Sequence, residues 1–115
     1  KPSPSEIAKC IEAEGAAIAS KIPQNAVIAA MCIEGEMLSS ESFSQKLENL
    51  MSDESASELC FVIGGSYGLS DEIKKRAKLK LSLSRMTFTH QISRVLILEQ
   101  IYRAFQISTG GKYHK

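Results

Sequence analysis

Apolar positions along this chain alternate between helical spacing and short uninterrupted runs, and the two rhythms take turns. Ser3-Pro4-Ser5-Glu6 carries a capping-box pattern with proline at the first helical position, and Ile7, Ile11, Ile18 and Ile22 follow at helical spacing. An amphipathic helix ending near Pro23 is predicted. Ala26 to Ile33 is a continuous apolar run closed by Glu34-Gly35, too short for a typical helix and best satisfied by a buried parallel strand. After Ser39-Ser40, helical spacing returns at Phe43, Leu47, Leu50 and Met51, and residues 52–57 form a polar break.

The same alternation continues to the C-terminus. Leu59 to Ile63 predicts a second strand that stops at Gly64-Gly65-Ser66-Tyr67-Gly68. Ser70 is placed to cap a short helix from Asp71 to Ala77, Leu79 to Leu83 reads as a third strand, and Ser84 to His90 as a polar connection. Ile92 to Phe105 predicts the longest helix; Ile92, Val95, Leu96, Ile97, Leu98 and Ile101 make it apolar around more than one face, which suits burial on both a core and a partner side. Strands alternating with helices imply an α/β layer structure with a mostly parallel sheet, and 115 residues suit a single domain, 1–115, with one core.

Composition narrows the class without naming a function. With 43% apolar and 23% charged residues the chain reads as an ordinary globular domain, and no apolar run approaches the roughly 18 residues that span a bilayer. No membrane association is expected. Lys1 to Ser5 lacks the apolar stretch of a secretory signal, and Cys10, Cys32 and Cys60 are odd in number with no C-x-x-C pair. A cytoplasmic protein with buried thiols and no metal site is expected. Net charge is only +1, yet residues 1–69 hold four lysines against ten acids, whereas residues 70–115 hold ten Lys or Arg against three acids. A basic half of this kind attracts polyphosphate, although a solvated lysine-rich face gives the same count.

Three segments could carry chemistry. Glycines at 64, 65 and 68 after a buried strand allow a tight turn and close approach to main-chain amides; the pattern matches neither the dinucleotide nor the P-loop fingerprint, so a structural turn and a ligand loop both satisfy it. Leu83 to His90 is a polar loop at the carboxyl end of a strand, where open α/β sheets gather ligands, though His90 could instead cap the next helix. Gly110 to Lys115 is a glycine hinge carrying Tyr113, His114 and two lysines, a combination suited to stacking on a base and holding phosphate. With two histidines and no carboxylate cluster, hydrolase triads and metal chemistry are poorly supported.

Taken together, residues 61–70, 81–91, Glu99 to Phe105 and the terminal Tyr113-His114-Lys115, with Gly35-Glu36-Met37-Leu38-Ser39-Ser40 further back, resemble the ribosomal RNA large subunit methyltransferase H family of the SPOUT superfamily in order and spacing. The resemblance covers essentially the whole chain. It implies a trefoil-knotted α/β fold, a homodimer, and methyl transfer from S-adenosylmethionine to N3 of a pseudouridine in 23S rRNA on the assembled ribosome. It places the cofactor against Met31, Gly64 and the stretch Leu83, Ser84, Arg85, Met86, Thr87 and Phe88. His90, Arg103 and His114 become the candidates for handling the N3 proton, with Tyr113, His114 and Lys115 holding RNA.

Three departures from the family pattern stand out. Thr89 replaces a usual proline, which puts the rigidity of the loop before His90 in question, and Cys32 replaces a usual acid. The family's N-terminal strand and helix have no counterpart in this sequence. Two other readings compete with the family's own: another SPOUT enzyme acting on transfer RNA or a different rRNA site, and a non-catalytic RNA-binding module.

Overall fold

A computed structural model describes residues 1–52, 58–65 and 67–111. Its elements are α1 (Pro4–Lys21), β1 (Val27–Glu36), α2 (Ser40–Met51), β2 (Leu59–Ile63), α3 (Asp71–Arg76), β3 (Leu79–Leu81) and α4 (His90–Ser108). Among the described residues the three strands form one parallel sheet in the order β2-β1-β3. The α/β class and the parallel sheet flanked by helices are as the apolar pattern predicts.

The central strand explains why its sequence lacks alternation. Ala29 and Met31 face one cluster with Phe43 and Leu47 of α2 and Ile97 and Ala104 of α4. Ile28 and Ala30 face the other, against Val62, Leu69 and Ile73, with Ile18 of α1 and Ile22 just after it alongside. A strand covered on both faces needs apolar residues at every position, which is what Val27 to Met31 supplies. β1 pairs with β2 from Val27↔Leu59 to Met31↔Ile63 and with β3 from Ala29↔Leu79 to Met31↔Leu81, so Met31, Ile63 and Leu81 stand side by side at the carboxyl ends.

Element boundaries differ from the pattern where glycines and caps intervene. β1 runs past Ile33 to Glu36: its pairing with β3 breaks after Met31 and resumes at Glu36↔Leu81. Gly35 permits this return, because a Cβ there would stand 2.6 Å from the Lys80 carbonyl carbon. β3 ends at Leu81 rather than Leu83, since the Ser82 amide donates to the Glu36 carbonyl at 2.8 Å and the Ser82 hydroxyl donates to the Ser84 carbonyl at 2.9 Å, turning the chain out of the sheet. α4 begins at His90, and its cap is Thr89, whose hydroxyl accepts the Ile92 amide proton at 3.4 Å. His90 is therefore not the cap. A proline at 89 could not offer that hydroxyl, so the departure at this position replaces ring rigidity with a hydrogen-bonded cap. The thiols are also more open than expected: Cys10 is exposed and Cys32 and Cys60 are half-buried. Cys10 sits on the outer face of an amphipathic helix, and Cys32 lies where β1 leaves β3.

Helix ends follow the sequence closely. Ser3 and Glu6 form a reciprocal capping box, with the Ser3 amide donating to Glu6 at 3.1 Å and the Glu6 amide donating to Ser3 at 3.2 Å. Hydrogen bonding from the Ser3 backbone and side chain holds the Glu6 carboxyl below the usual carboxylate range. The other end of α1 meets α3, where Gly15 is buried against Ser70, the N-cap of α3. α2 and α4 are tied by the Ser44 hydroxyl, which donates to the Ala104 carbonyl at 3.0 Å, and by Ser40 donating to the Gln100 side chain at 2.7 Å. No helix among the described residues is long and apolar enough to cross a membrane.

Candidate functional site

The three carboxyl strand ends open into one cavity of about 790 Å³, within the range of small-molecule sites. Its walls come from three places: Met31 to Glu34 in the second half of β1, Gly64, Gly65 and Tyr67 to Leu69 after β2, and the end of β3 with Ser82 to Ser84 and Met86 to Gln91 beyond it. Ligand sites at the carboxyl ends of an α/β sheet arise because the strands deliver their loops there together.

Each wall has a local cause. The glycine loop folds back on itself: the Gly68 amide donates to the Gly65 carbonyl at 3.1 Å, and Gly68 takes φ +90°, a left-handed conformation that favours glycine. Gly64 packs so closely that a Cβ would lie 2.8 Å from the Gly68 carbonyl carbon. In the loop after β3, the Met86 amide donates to the Ser84 hydroxyl at 3.0 Å, a serine turn that leaves Met86, Thr87 and Phe88 exposed toward the opening. The β1 wall is braced by a bridge from Lys74 of α3 to Glu34. The hydrogen bond between them lowers the Glu34 carboxyl and raises the Lys74 ammonium from their usual ranges. Burial, with Glu34 nearby, pushes the Cys32 thiol up.

Of the positions nominated from sequence, Met31, Gly64, Leu83, Ser84, Met86, Thr87 and Phe88 all line this one cavity; Arg85 does not. His90 lines its edge at the start of α4. Arg103 does not join it: at 1.5 Å per residue it lies about 20 Å further along α4, where its guanidinium pairs with Glu99 at 2.8 Å. Tyr113, His114 and Lys115 lie outside the described residues. The chain by itself thus does not bring His90 and Arg103 together.

Sequence reasoning missed Cys32, Glu34 and Lys74 on the β1 side, together with Tyr67 and Leu69. Tyr67 lies within the glycine loop and Leu69 directly follows it, so both could have been found by nominating that loop whole. Lys74 could not, since it reaches the cavity only through the packing of α3 beside β1. No group of three or more potential metal ligands occurs among the described residues.

A ligand suited to this cavity has both apolar and polar parts. Met31, Ile63, Leu69, Leu81, Leu83 and Phe88 offer an apolar slot, while Ser82, Ser84 and Thr87 offer hydroxyls and the glycine loop offers an approachable main chain. That fits an adenosine-type group with an aliphatic tail. Outside the cavity, α4 presents Ile92, Val95, Leu98, Tyr102 and Phe105 along its outer side, each at least 43% exposed. Their spacing of three or four residues makes a single stripe opposite the buried Ile97 and Ala104.

Comparison with known proteins agrees with this architecture. Residues 1–114 match the family described as "Predicted SPOUT methyltransferase". A protein of Clostridioides difficile (strain 630) named Ribosomal RNA large subunit methyltransferase H is 50% identical over 102 residues, covering 89% of this chain and 64% of that protein. A Bacillus pumilus (strain SAFR-032) protein of the same name is 50% identical with the same coverage, and one from Streptococcus pneumoniae (strain CGSP14) is 47% identical over 115 residues, covering 100% of this chain and 72% of its own length. The chain spans just under two thirds of the length of the first two relatives. With the strand order, the loop-built cavity and these matches in agreement, the chain belongs to the SPOUT methyltransferase family, among relatives named Ribosomal RNA large subunit methyltransferase H.

Proposed function

We propose that this chain is a single domain, residues 1–115, of a cytoplasmic, homodimeric enzyme that uses S-adenosylmethionine to methylate N3 of a pseudouridine in 23S rRNA on the assembled ribosome. The trefoil crossing implied by the resemblance is part of the same proposal. The observation that carries it is the convergence of Met31, Gly64 and, from the third loop, Leu83, Ser84 and Met86 to Phe88, separated by long distances in sequence, on one cavity at the sheet's carboxyl edge. Support also comes from the relatives named as large-subunit rRNA methyltransferases.

When bound, the cofactor supplies an electrophilic methyl group on a sulfonium. This chain's own residues supply the rest. Main-chain groups of the glycine loop and of residues 83–88 hold and orient it, and the apolar wall excludes water from one side. N3 of the target ring is a weak acid, so its proton must be removed or its developing anion stabilised. His90 is the nominated side chain at the cavity's edge in the same protomer. Arg103, His114 and the RNA-holding Tyr113 and Lys115 fit this reading as contributions from a second copy. The stripe Ile92, Val95, Leu98, Tyr102 and Phe105 is the surface by which that copy would dock, since a solvent-facing apolar row on a helix already packed on its other side calls for a partner.

Isothermal titration with S-adenosylhomocysteine tests the cofactor assignment. Saturable binding that is lost in Gly64→Val, where a side chain would meet the Gly68 backbone, is expected. Absence of heat in the wild-type chain refutes it and favours the non-catalytic RNA-binding reading. Methyl transfer to intact ribosomes but not to transfer RNA separates the proposed substrate from that of another SPOUT enzyme. For the dimer, sedimentation equilibrium should give twice the chain mass at micromolar concentration, and Val95→Asp with Leu98→Asp should give the monomer.

A further inference from the structure

The glycine loop closes on itself through Gly64, Gly65 and Gly68, but glycine backbones are the least constrained of all, and a loop with three of them needs an external tether to hold one shape. The first helix provides a contact of this kind. Glu14 of α1 accepts the Gly65 amide proton on Oε1 at 3.0 Å, across 51 residues of sequence. The carboxylate also fills the space where a side chain would project from residue 65: a Cβ there would lie 2.6 Å from Glu14 Oε2. One residue further along α1, Gly15 packs directly against Ser70, which ends the loop and caps α3. Adjacent residues of one helix therefore hold both ends of the segment 65–70.

We infer that Glu14 is a positioning residue for the glycine loop, fixing the wall against which the proposed cofactor sits. Its consequence for affinity rests on the reading given under Proposed function; the clamp itself does not. A carboxylate suits the task because an ionised acceptor makes a stronger bond to an amide than a neutral one, and Glu14 is exposed, so its charge stays hydrated. Without the clamp the loop spends part of its time in other shapes, and apparent affinity falls by the fraction of time the competent shape is lost.

Glu14→Ala removes the acceptor, whereas Glu14→Gln retains a carbonyl oxygen in the same place. Hydrogen exchange of the Gly65 amide in ligand-free protein should accelerate in Glu14→Ala and by a smaller factor in Glu14→Gln, whose neutral oxygen still accepts the bond. S-adenosylhomocysteine should bind about five- to tenfold more weakly to Glu14→Ala, with the urea midpoint nearly unchanged because the side chain lies outside the core. Unchanged Gly65 exchange in Glu14→Ala overturns the inference. So does a fall in urea midpoint that accounts for the whole effect, which would make Glu14 a general stabiliser. If the wild-type chain does not bind S-adenosylhomocysteine, the cofactor assignment fails by itself, and the Gly65 exchange rates still decide the clamp.

Discussion

Replacing Gly15 by alanine sets two opposing effects against each other at the α1–α3 contact. In an isolated helix the change is favourable by about 1 kcal/mol, because alanine loses less backbone entropy than glycine. Here the new Cβ would overlap Ser70 Oγ and stand 2.6 Å from Ser70 Cβ, about 1 Å inside ordinary carbon contact. Rotating the hydroxyl cannot relieve this, since the Ser70 Cβ is fixed by a buried backbone. Relief requires α1 to back away or Ser70 to move, and Ser70 accepts the Ile73 amide proton at 3.3 Å as the cap of α3. Overpacking costs about 1–3 kcal/mol and a weakened cap about 1 kcal/mol more. The unfavourable terms exceed the favourable one, so Gly15→Ala should destabilise the chain by about 1–3 kcal/mol.

The same reasoning reverses the sign in a second background. Ser70→Gly costs only a few tenths of a kcal/mol at an N-cap, and it removes both clashing atoms, leaving the backbone Cα at 4.0 Å as the nearest neighbour. In that background Gly15→Ala should stabilise by up to about 1 kcal/mol, giving a coupling of about 2–4 kcal/mol between the two sites. Urea unfolding of the four proteins, with constant m-values, measures the cycle. If Gly15→Ala has the same effect in both backgrounds, to within about 0.5 kcal/mol, the packing argument is wrong.

Other consequences are open to direct measurement. Cys32 lines the cavity with its thiol pushed up by burial and Glu34, so at pH 8 it should react with iodoacetamide more slowly than exposed Cys10, and saturating S-adenosylhomocysteine should slow it further; peptide mass mapping over time reads both. Because the folded Glu34 carboxyl is depressed, its contribution to stability is present above the unfolded carboxylate value and disappears as pH falls through the folded one. The urea midpoint of the wild type should therefore drop more between pH 7 and pH 3 than that of Glu34→Gln, by a small margin since the side chain is largely exposed. Lys74, raised by the same contact, gives the opposite limb: its contribution is complete below the ordinary lysine value and disappears as pH rises through the folded one. Ser44→Ala should cost about 1 kcal/mol in the same assay, because it strips the Ala104 carbonyl of a buried donor.

What sequence alone determined here is local and periodic. The continuous apolar run before Glu34 requires a strand buried on both faces, Ser3 and Ser70 sit where helix caps belong, and glycines after β2 mark where a ligand can reach the main chain. These features depend on neighbours within a few residues, which one-dimensional spacing records. The family resemblance added the loops at Met31, Gly64 and 83–88 as one set, and all of the nominated positions there except Arg85 line a single cavity.

Tertiary structure decided the contacts made between distant segments. The return of β1 to β3 at Glu36 depends on how closely Gly35 approaches the Lys80 backbone, and no periodicity carries that. Glu34 and Lys74 become partners, and Lys74 becomes a wall of the cavity, only because α3 lies beside β1. Glu14 reaches Gly65 for the same kind of reason, because α1 packs against the start of α3 and so lies beside the loop that precedes it. Conversely, the 20 Å that separate His90 from Arg103 follow simply from helix rise, and a second copy is what the proposed site needs to bring such groups together. Periodicity reports which face of an element is buried; it does not report which element buries it, and that choice is made when the layers pack.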